Sequence, residues 1–195
     1  MKKGFLFTAI LALASVASFA QVKWNVDPAH TSVIFGVKHL GLSYIQGHFN
    51  KFNGTIETAD STNFQDAKID FTVDVNSIST GVDQRDGHLK SDDFFDAATY
   101  PTMTLKSVSL KKVSGDQYKL LADLTIRNTT KRVTFDVTYN GVIKDPWGLR
   151  RAGFTAKTTI NRLDFGVKYA DKLPSGVYAV APTVDITVNV EAVKQ

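Results

Sequence analysis

Four histidines, His30, His39, His48 and His88, are the residues best suited by type to hold a metal or move a proton. No two of them stand two to four residues apart, the spacing that puts a pair of ligands on one face in common metal motifs. A tight turn centred on Ser43-Tyr44 would set His39 opposite His48 across a hairpin and offer two ligands. The alternative role for the same polar tips is structural hydrogen bonding at the rim of the fold. His88 also stands near Asp92, Asp93 and Asp96, a grouping that would suit hydrolysis, although acids beside a short exposed helix usually face solvent. The chain has no Gly-x-Ser-x-Gly elbow and no phosphate loop. It has no cysteine to act as nucleophile, close a disulfide or carry a lipid. The sequence therefore reads as a non-enzyme with no cofactor and no metal, and a small histidine-dependent metal protein or hydrolase is the alternative.

The elements that would position these residues are strands. Val33, Phe35 and Val37 alternate with Ser32, Ile34, Gly36 and Lys38, and Ile69, Phe71, Val73 and Val75 alternate with Lys68, Asp70, Thr72 and Asp74. The same period of two recurs over Tyr118 to Ile126, Val133 to Tyr139, Ala152 to Ile160 and Val184 to Val190. Each run has one wet face and one dry face, as an antiparallel sheet with a solvated exterior requires. Ser114-Gly115-Asp116, Asn128-Thr129-Thr130, Asn140-Gly141 and Asp145-Pro146-Trp147-Gly148 read as the turns between them. Short loops between consecutive strands favour an up-and-down order, and closure into a barrel would remove the exposed edges. From Thr80 to Tyr100 the alternation stops. Thr80 as N-cap, Asp83 in the first turn and an Asp86–Lys90 pair predict one or two short helices there, which Pro101 ends.

Residues 1–20 read as a secretory signal rather than as part of the fold. Lys2 and Lys3 precede an uncharged apolar run from Phe5 to Val16, and Ser18-Phe19-Ala20 supplies small residues at a cleavage site before Gln21. No later stretch is apolar for the roughly 20 residues a spanning helix needs, so stable membrane insertion is not expected. Gln21 to Gln195 is a comfortable single domain, large enough to fold without staples. Lys2 and Lys3 account for half of the formal charge of +4, and the remaining charges of both signs are interspersed. That balance gives no support to nucleic-acid binding.

An ordered series of short motifs spans the chain. Asp27-Pro28-Ala29-His30-Thr31-Ser32-Val33 is followed by His39-Leu40-Gly41, Gly47-His48-Phe49-Asn50-Lys51-Phe52-Asn53-Gly54 and Ser77-Ile78-Ser79-Thr80-Gly81. Then come Arg85-Asp86-Gly87-His88-Leu89, Asp93-Phe94-Phe95-Asp96, Tyr100-Pro101, Leu124-Thr125-Ile126-Arg127 and Asn161-Arg162-Leu163-Asp164-Phe165-Gly166. Together they resemble the YceI-like family of secreted proteins over essentially all of residues 21–195. The resemblance implies an all-β, extended, lipocalin-like antiparallel barrel of about eight strands with a short helical insertion. It also implies an elongated apolar cavity for a polyisoprenoid or similar long-chain amphiphile, and a periplasmic or secreted location.

On that reading the wall of the cavity is Phe35, Val37, Phe49, Phe52, Phe71, Leu89, Phe94, Phe95, Phe135 and Phe154, with residues 81–100 as the lid. A packed core with no ligand is the other use of the same inner faces, and inner-face alanines (Ala122, Ala152, Ala156) favour open space. Each methylene buried is worth about 0.8 kcal/mol, so a long prenyl chain gains on the order of 10 kcal/mol before entropic costs. The head group then matters for orientation more than affinity. Arg85, His88, Lys90, Arg150 and Arg151 are the candidates to meet it at the mouth. The partner is thus a long-chain isoprenoid or fatty amphiphile, and a homodimer is compatible with the sequence.

Overall fold

The period-two pattern is realised as strand along most of the chain in a computed structural model that describes residues 21–195; the leader read from residues 1–20 lies outside the described residues. The strands are β1 (Val22–Val26), β2 (Ser32–His39), β3 (Ser43–Phe49), β4 (Phe52–Thr58), β5 (Lys68–Asp74), β6 (Ile78–Ser79), β7 (Thr102–Ser114), β8 (Gln117–Ile126), β9 (Thr129–Lys144), β10 (Arg150–Asn161) and β11 (Val180–Lys194). One α-helix, α1 (Asp83–Lys90), lies between β6 and β7. Among the described residues no helix is long and apolar enough to cross a membrane.

Six of these strands are halves of three bent ones. β1 continues into β2, β3 into β4, and β5 into β6 through a 3-10 turn at Val75–Ser77. Taken so, eight strands pair antiparallel in sequence order, and β11 closes the ring on β1 (Trp24↔Lys194, Val26↔Ala192) and on β2 (Ile186↔Phe35, Val188↔Val33). The up-and-down barrel expected from the alternation is therefore the fold. Closure leaves few free edges, and the opening that remains lies at one end. There β3 pairs with β6 only at Phe49↔Ile78 and His48↔Ser79, and α1 with the turns that follow completes the wall.

The two ends differ. At one end Trp24, Phe64, Tyr139 and Phe154 form an aromatic plug, with ring centroids 5.5 Å apart for Trp24–Phe64 and 4.8 Å for Phe64–Phe154. Trp24 is fully buried, and so are Ala122 and Ala152 in the same cluster. Those two alanines thus serve close packing at the plugged end rather than open space. Outside the plug, Arg151 donates to Asp145 (2.6 Å), Asp27 (2.7 Å) and Glu191 (2.6 Å). Asp27 also pairs with His30 at 2.8 Å. These hydrogen bonds, His30's foremost and Arg151's next, hold the Asp27 carboxyl down to about 2.

A carboxylate whose pKa is depressed on folding stabilises the fold above its unfolded value and loses that contribution as pH falls through the folded one. Asp27→Asn is accordingly expected to melt below the wild type at neutral pH, with the gap closing between about pH 4 and 2. Thermal melts across that range would check it, and a gap independent of pH would contradict it.

Two local expectations are corrected. Asn140-Gly141 is not a turn: β9 runs through it, and the ladder to β10 slips one residue between Gly153 and Phe154. Gly141 takes φ +111, so the pair makes a bulge inside a long strand. Thr80 does not cap α1 either. Val82 holds the N-cap position without a side-chain bond, and the Asp86 carboxylate accepts from the Thr80 amide (2.8 Å) and hydroxyl. Asp86 is thereby turned back to Thr80 instead of forward to Lys90.

Candidate functional site

Inner-face residues from all around the ring leave a hollow above the plug. The main cavity spans about 1040 Å³ of space between atoms, open solvent at its margin included, and a second, nearer the plug, about 690 Å³ on the same measure. Both are walled in part by Phe71, Leu105, Phe135 and Val188, so they adjoin along the barrel axis. A third space of about 770 Å³ shares Phe35, Val37, Leu89, Phe94 and Val180 with the main cavity and forms its mouth. The axis is thus packed at one end and hollow along the rest.

Of the residues read from the sequence as cavity wall, Phe35, Val37, Phe49, Phe71, Leu89, Phe94, Phe95 and Phe135 line the main cavity. Phe154 lines the second cavity, where its ring also meets Phe64. Phe52 is on neither wall. It stacks on the wall residue Phe71 with centroids 5.8 Å apart and an interplanar angle of 19°. The sequence reading missed much of the aliphatic wall, including Val73, Met103, Leu124, Ile126 and Ile160. The inward alternation of their strands was the available signal for most of these.

Close approach shapes the wall at one glycine. Gly47 lies opposite Phe35 in the β2–β3 ladder, and a Cβ there would overlap the Phe35 ring and touch Thr80. The missing side chain lets the Phe35 ring approach the β3 backbone closely.

The insertion from Val82 to Tyr100 is held on both flanks. Arg85 donates from Nε to the Thr80 hydroxyl (2.7 Å) and from Nη2 to the Thr80 carbonyl (2.8 Å). On the far side Arg127, in the turn between β8 and β9, donates to the carbonyls of Asp92 (3.1 Å) and Phe94 (2.9 Å). Its guanidinium also lies 3.6 Å from Asp96 and 5.5 Å from the centre of the Tyr100 ring. Leu89, Phe94 and Phe95 are presented to the cavity by this framework.

The sequence-predicted polar residues divide between the ends. Arg85 and His88 line the mouth, together with His39, Ile45 and Tyr169. Arg150 and Arg151 stand at the start of β10, whereas the mouth lies near its end. Eleven residues at 3.3 Å each put them roughly 35 Å away. They therefore do not join Arg85 and His88, and Arg151 is engaged by three carboxylates as described. Lys90 ends α1, and its carbonyl accepts from the Ala97 amide (2.9 Å).

The histidine geometry is also corrected. The β2–β3 turn falls at Leu40–Leu42, where Leu40 and Gly41 take φ +53 and +71. His39 consequently faces Ser43, and His48 faces Ile34. Strand alternation puts them on opposite faces of the sheet, so they cannot share a metal. His88 pairs with Asp93 at 2.9 Å and packs edge-on to Phe94 and Tyr169, while Asp96 turns to Arg127, which splits the acidic cluster. Asp27, His30 and Glu191 do converge at the plugged end, but the Arg151 guanidinium already lies among them.

One charged residue unremarked by type or spacing stands on the main cavity wall. Arg162 is 6% exposed, and burial lowers its guanidinium pKa from the ordinary value. It opens the 3-10 turn Arg162–Phe165, which the Asn161 side chain caps at the Leu163 amide (3.0 Å) and Gly166 ends at φ +75.

Comparison with known proteins bears on this geometry. Residues 24–192 match the family described as the YceI-like domain. The chain is 37% identical to protein YceI of Escherichia coli O6:H1, with all of both chains covered. It superposes on the crystal structure of BcnA from Burkholderia cenocepacia with a TM-score of 0.74 and 25% identity, covering 85% of this chain and 98% of that one. A polyisoprenoid-binding domain from Saccharophagus degradans, implicated in plant cell wall breakdown, superposes with a TM-score of 0.66 and 15% identity. That match covers 88% of this chain and 98% of the other.

Proposed function

The chain belongs to the YceI-like domain family, and from that premise we propose that it is a binding protein which encloses a polyisoprenoid or similar long-chain lipid along the axis of its barrel. The observation that carries this reading is the run of adjoining cavities whose main wall, among the described residues, holds two polar residues, Thr104 and Arg162. A wall of that kind gains from every methylene it covers, about 0.8 kcal/mol each, and offers little to a short polar ligand. The polyisoprenoid bound by the Saccharophagus degradans domain supports the choice of a prenyl chain. The work done on the ligand is enclosure, for transport, storage or sequestration, with no chemical step. The leader read from residues 1–20 supports a periplasmic or secreted location.

Titration of the mature protein with geraniol, farnesol and geranylgeraniol tests the reading. Affinity should rise severalfold or more with each added isoprene unit, as each brings further methylenes out of water. An affinity that does not change along the series would overturn it.

A further inference from the structure

Arg162 poses a problem that the barrel itself does not solve. Its Nε donates to the Ala181 carbonyl (3.0 Å) and its Nη2 to the Val180 carbonyl (2.7 Å), both at the start of β11. The remaining nitrogen, Nη1, is buried and has no hydrogen-bond partner. The guanidinium carbon lies 5.8 Å from the centre of the Phe94 ring, so the side chain sits where the lid meets the cavity. Among the described residues it is the sole charged side chain on the main cavity wall. An arginine does not escape by losing its proton in a protein, and a charged donor left dry bears the full cost of its desolvation. Of the other basic groups weighed for a head group, Arg85 is engaged on Thr80, His88 on Asp93 and Arg151 on three carboxylates, and neither Lys90 nor Arg150 is on the main cavity wall.

We propose that Nη1 of Arg162 receives the acidic head group of the ligand inside the barrel, just beneath the lid. The inference rests on the lipid-binding reading and deepens it. The chain enters tail first, runs past Phe71 and Phe135 toward the plug, and leaves its head against the free Nη1 of Arg162. The shared chemistry is a compact anion with acceptor oxygens, a carboxylate or a phosphate ester, which forms charge-assisted hydrogen bonds with a guanidinium. The aliphatic wall around it strengthens that bond, because no water competes for the donor.

The experiment compares geranylgeranyl phosphate, geranylgeranoic acid and geranylgeraniol, which share one tail, on the wild type, Arg162→Gln and Arg162→Lys. The wild type should prefer at least one acidic ligand over the alcohol by about 10- to 100-fold, and which acid wins identifies the head. Arg162→Gln should lose that preference while keeping its affinity for the alcohol, and Arg162→Lys should keep part of it. A wild type that binds the alcohol as well as both acids would overturn the inference and leave the lipid reading standing. So would a uniform loss for all three ligands in Arg162→Gln, which would make Arg162 a brace for β11. A wild type that binds none of the three would overturn both. The comparison on the wild type decides even if Arg162→Gln does not fold.

Discussion

Tryptophan in place of Val188 is expected to weaken the binding of a long chain about 100-fold while the barrel remains folded. Val188 is directly opposite Ala156 on one neighbouring strand and Val33 on the other, with its side chain inward. It lies on the wall of both the main and the second cavity, where the two adjoin. Overpacking normally costs about 1–3 kcal/mol because neighbours must move, but here an indole can extend into empty space. The tail of geranylgeraniol would then stop short of the second cavity. Losing roughly four buried methylenes at about 0.8 kcal/mol each predicts a loss of about 100-fold in affinity. Geraniol, which need not pass that point, should lose much less. Titration alongside a thermal melt checks both halves, and an unchanged affinity for geranylgeraniol in a folded variant would contradict the placement of the chain.

Phe64→Ala should have the largest effect on stability. Phe64 is a loop residue between β4 and β5, only 1% exposed, and its ring touches Trp24, Tyr139 and Phe154 at the plugged end. It also lines the second cavity, so it is the floor of the hollow. Removing a buried phenylalanine costs about 3–5 kcal/mol, a large part of the 5–15 kcal/mol available to a typical domain. The melting temperature should fall by roughly 10 °C. A lower floor also lengthens the cavity, so the affinity lost for chains longer than geranylgeraniol should be smaller than that lost for farnesol. A variant that melts with the wild type would place the floor elsewhere.

The parts legible in the sequence were those that repeat. Alternation at Val33–Val37, Ile69–Val73, Leu120–Ile126 and Val133–Tyr139 marks the inner faces, because a strand has no other way to keep one side dry. Motif order brought the barrel and its insertion with it. What could not be read depends on where strands bend. β1, with the fully buried Trp24, is too short to show a period, and its link to β2 is made through the Arg151 network between residues distant in sequence. Asn140-Gly141 has the composition of a turn and becomes a bulge, because the β10 partners continue past it. The polar residues were the hardest to place. Arg85 and Arg150 look alike in a sequence, and the strand lengths between them put them at opposite ends. Arg162 carried no signal at all beyond its place in Asn161-Arg162-Leu163-Asp164-Phe165-Gly166. Its importance comes from burial, which only the closed barrel creates.

A hollow that holds a long apolar chain should yield that chain with the protein or take it up from solution. Native mass spectrometry of the mature protein, purified without detergent and followed by solvent extraction, measures this most directly. The expected outcome is either a retained mass that releases a prenyl or similar long-chain lipid on extraction, or an apo protein that takes up one geranylgeranyl chain on titration. A protein that emerges with only its own mass, and stays so with geranylgeraniol and geranylgeranyl phosphate in excess, would contradict it.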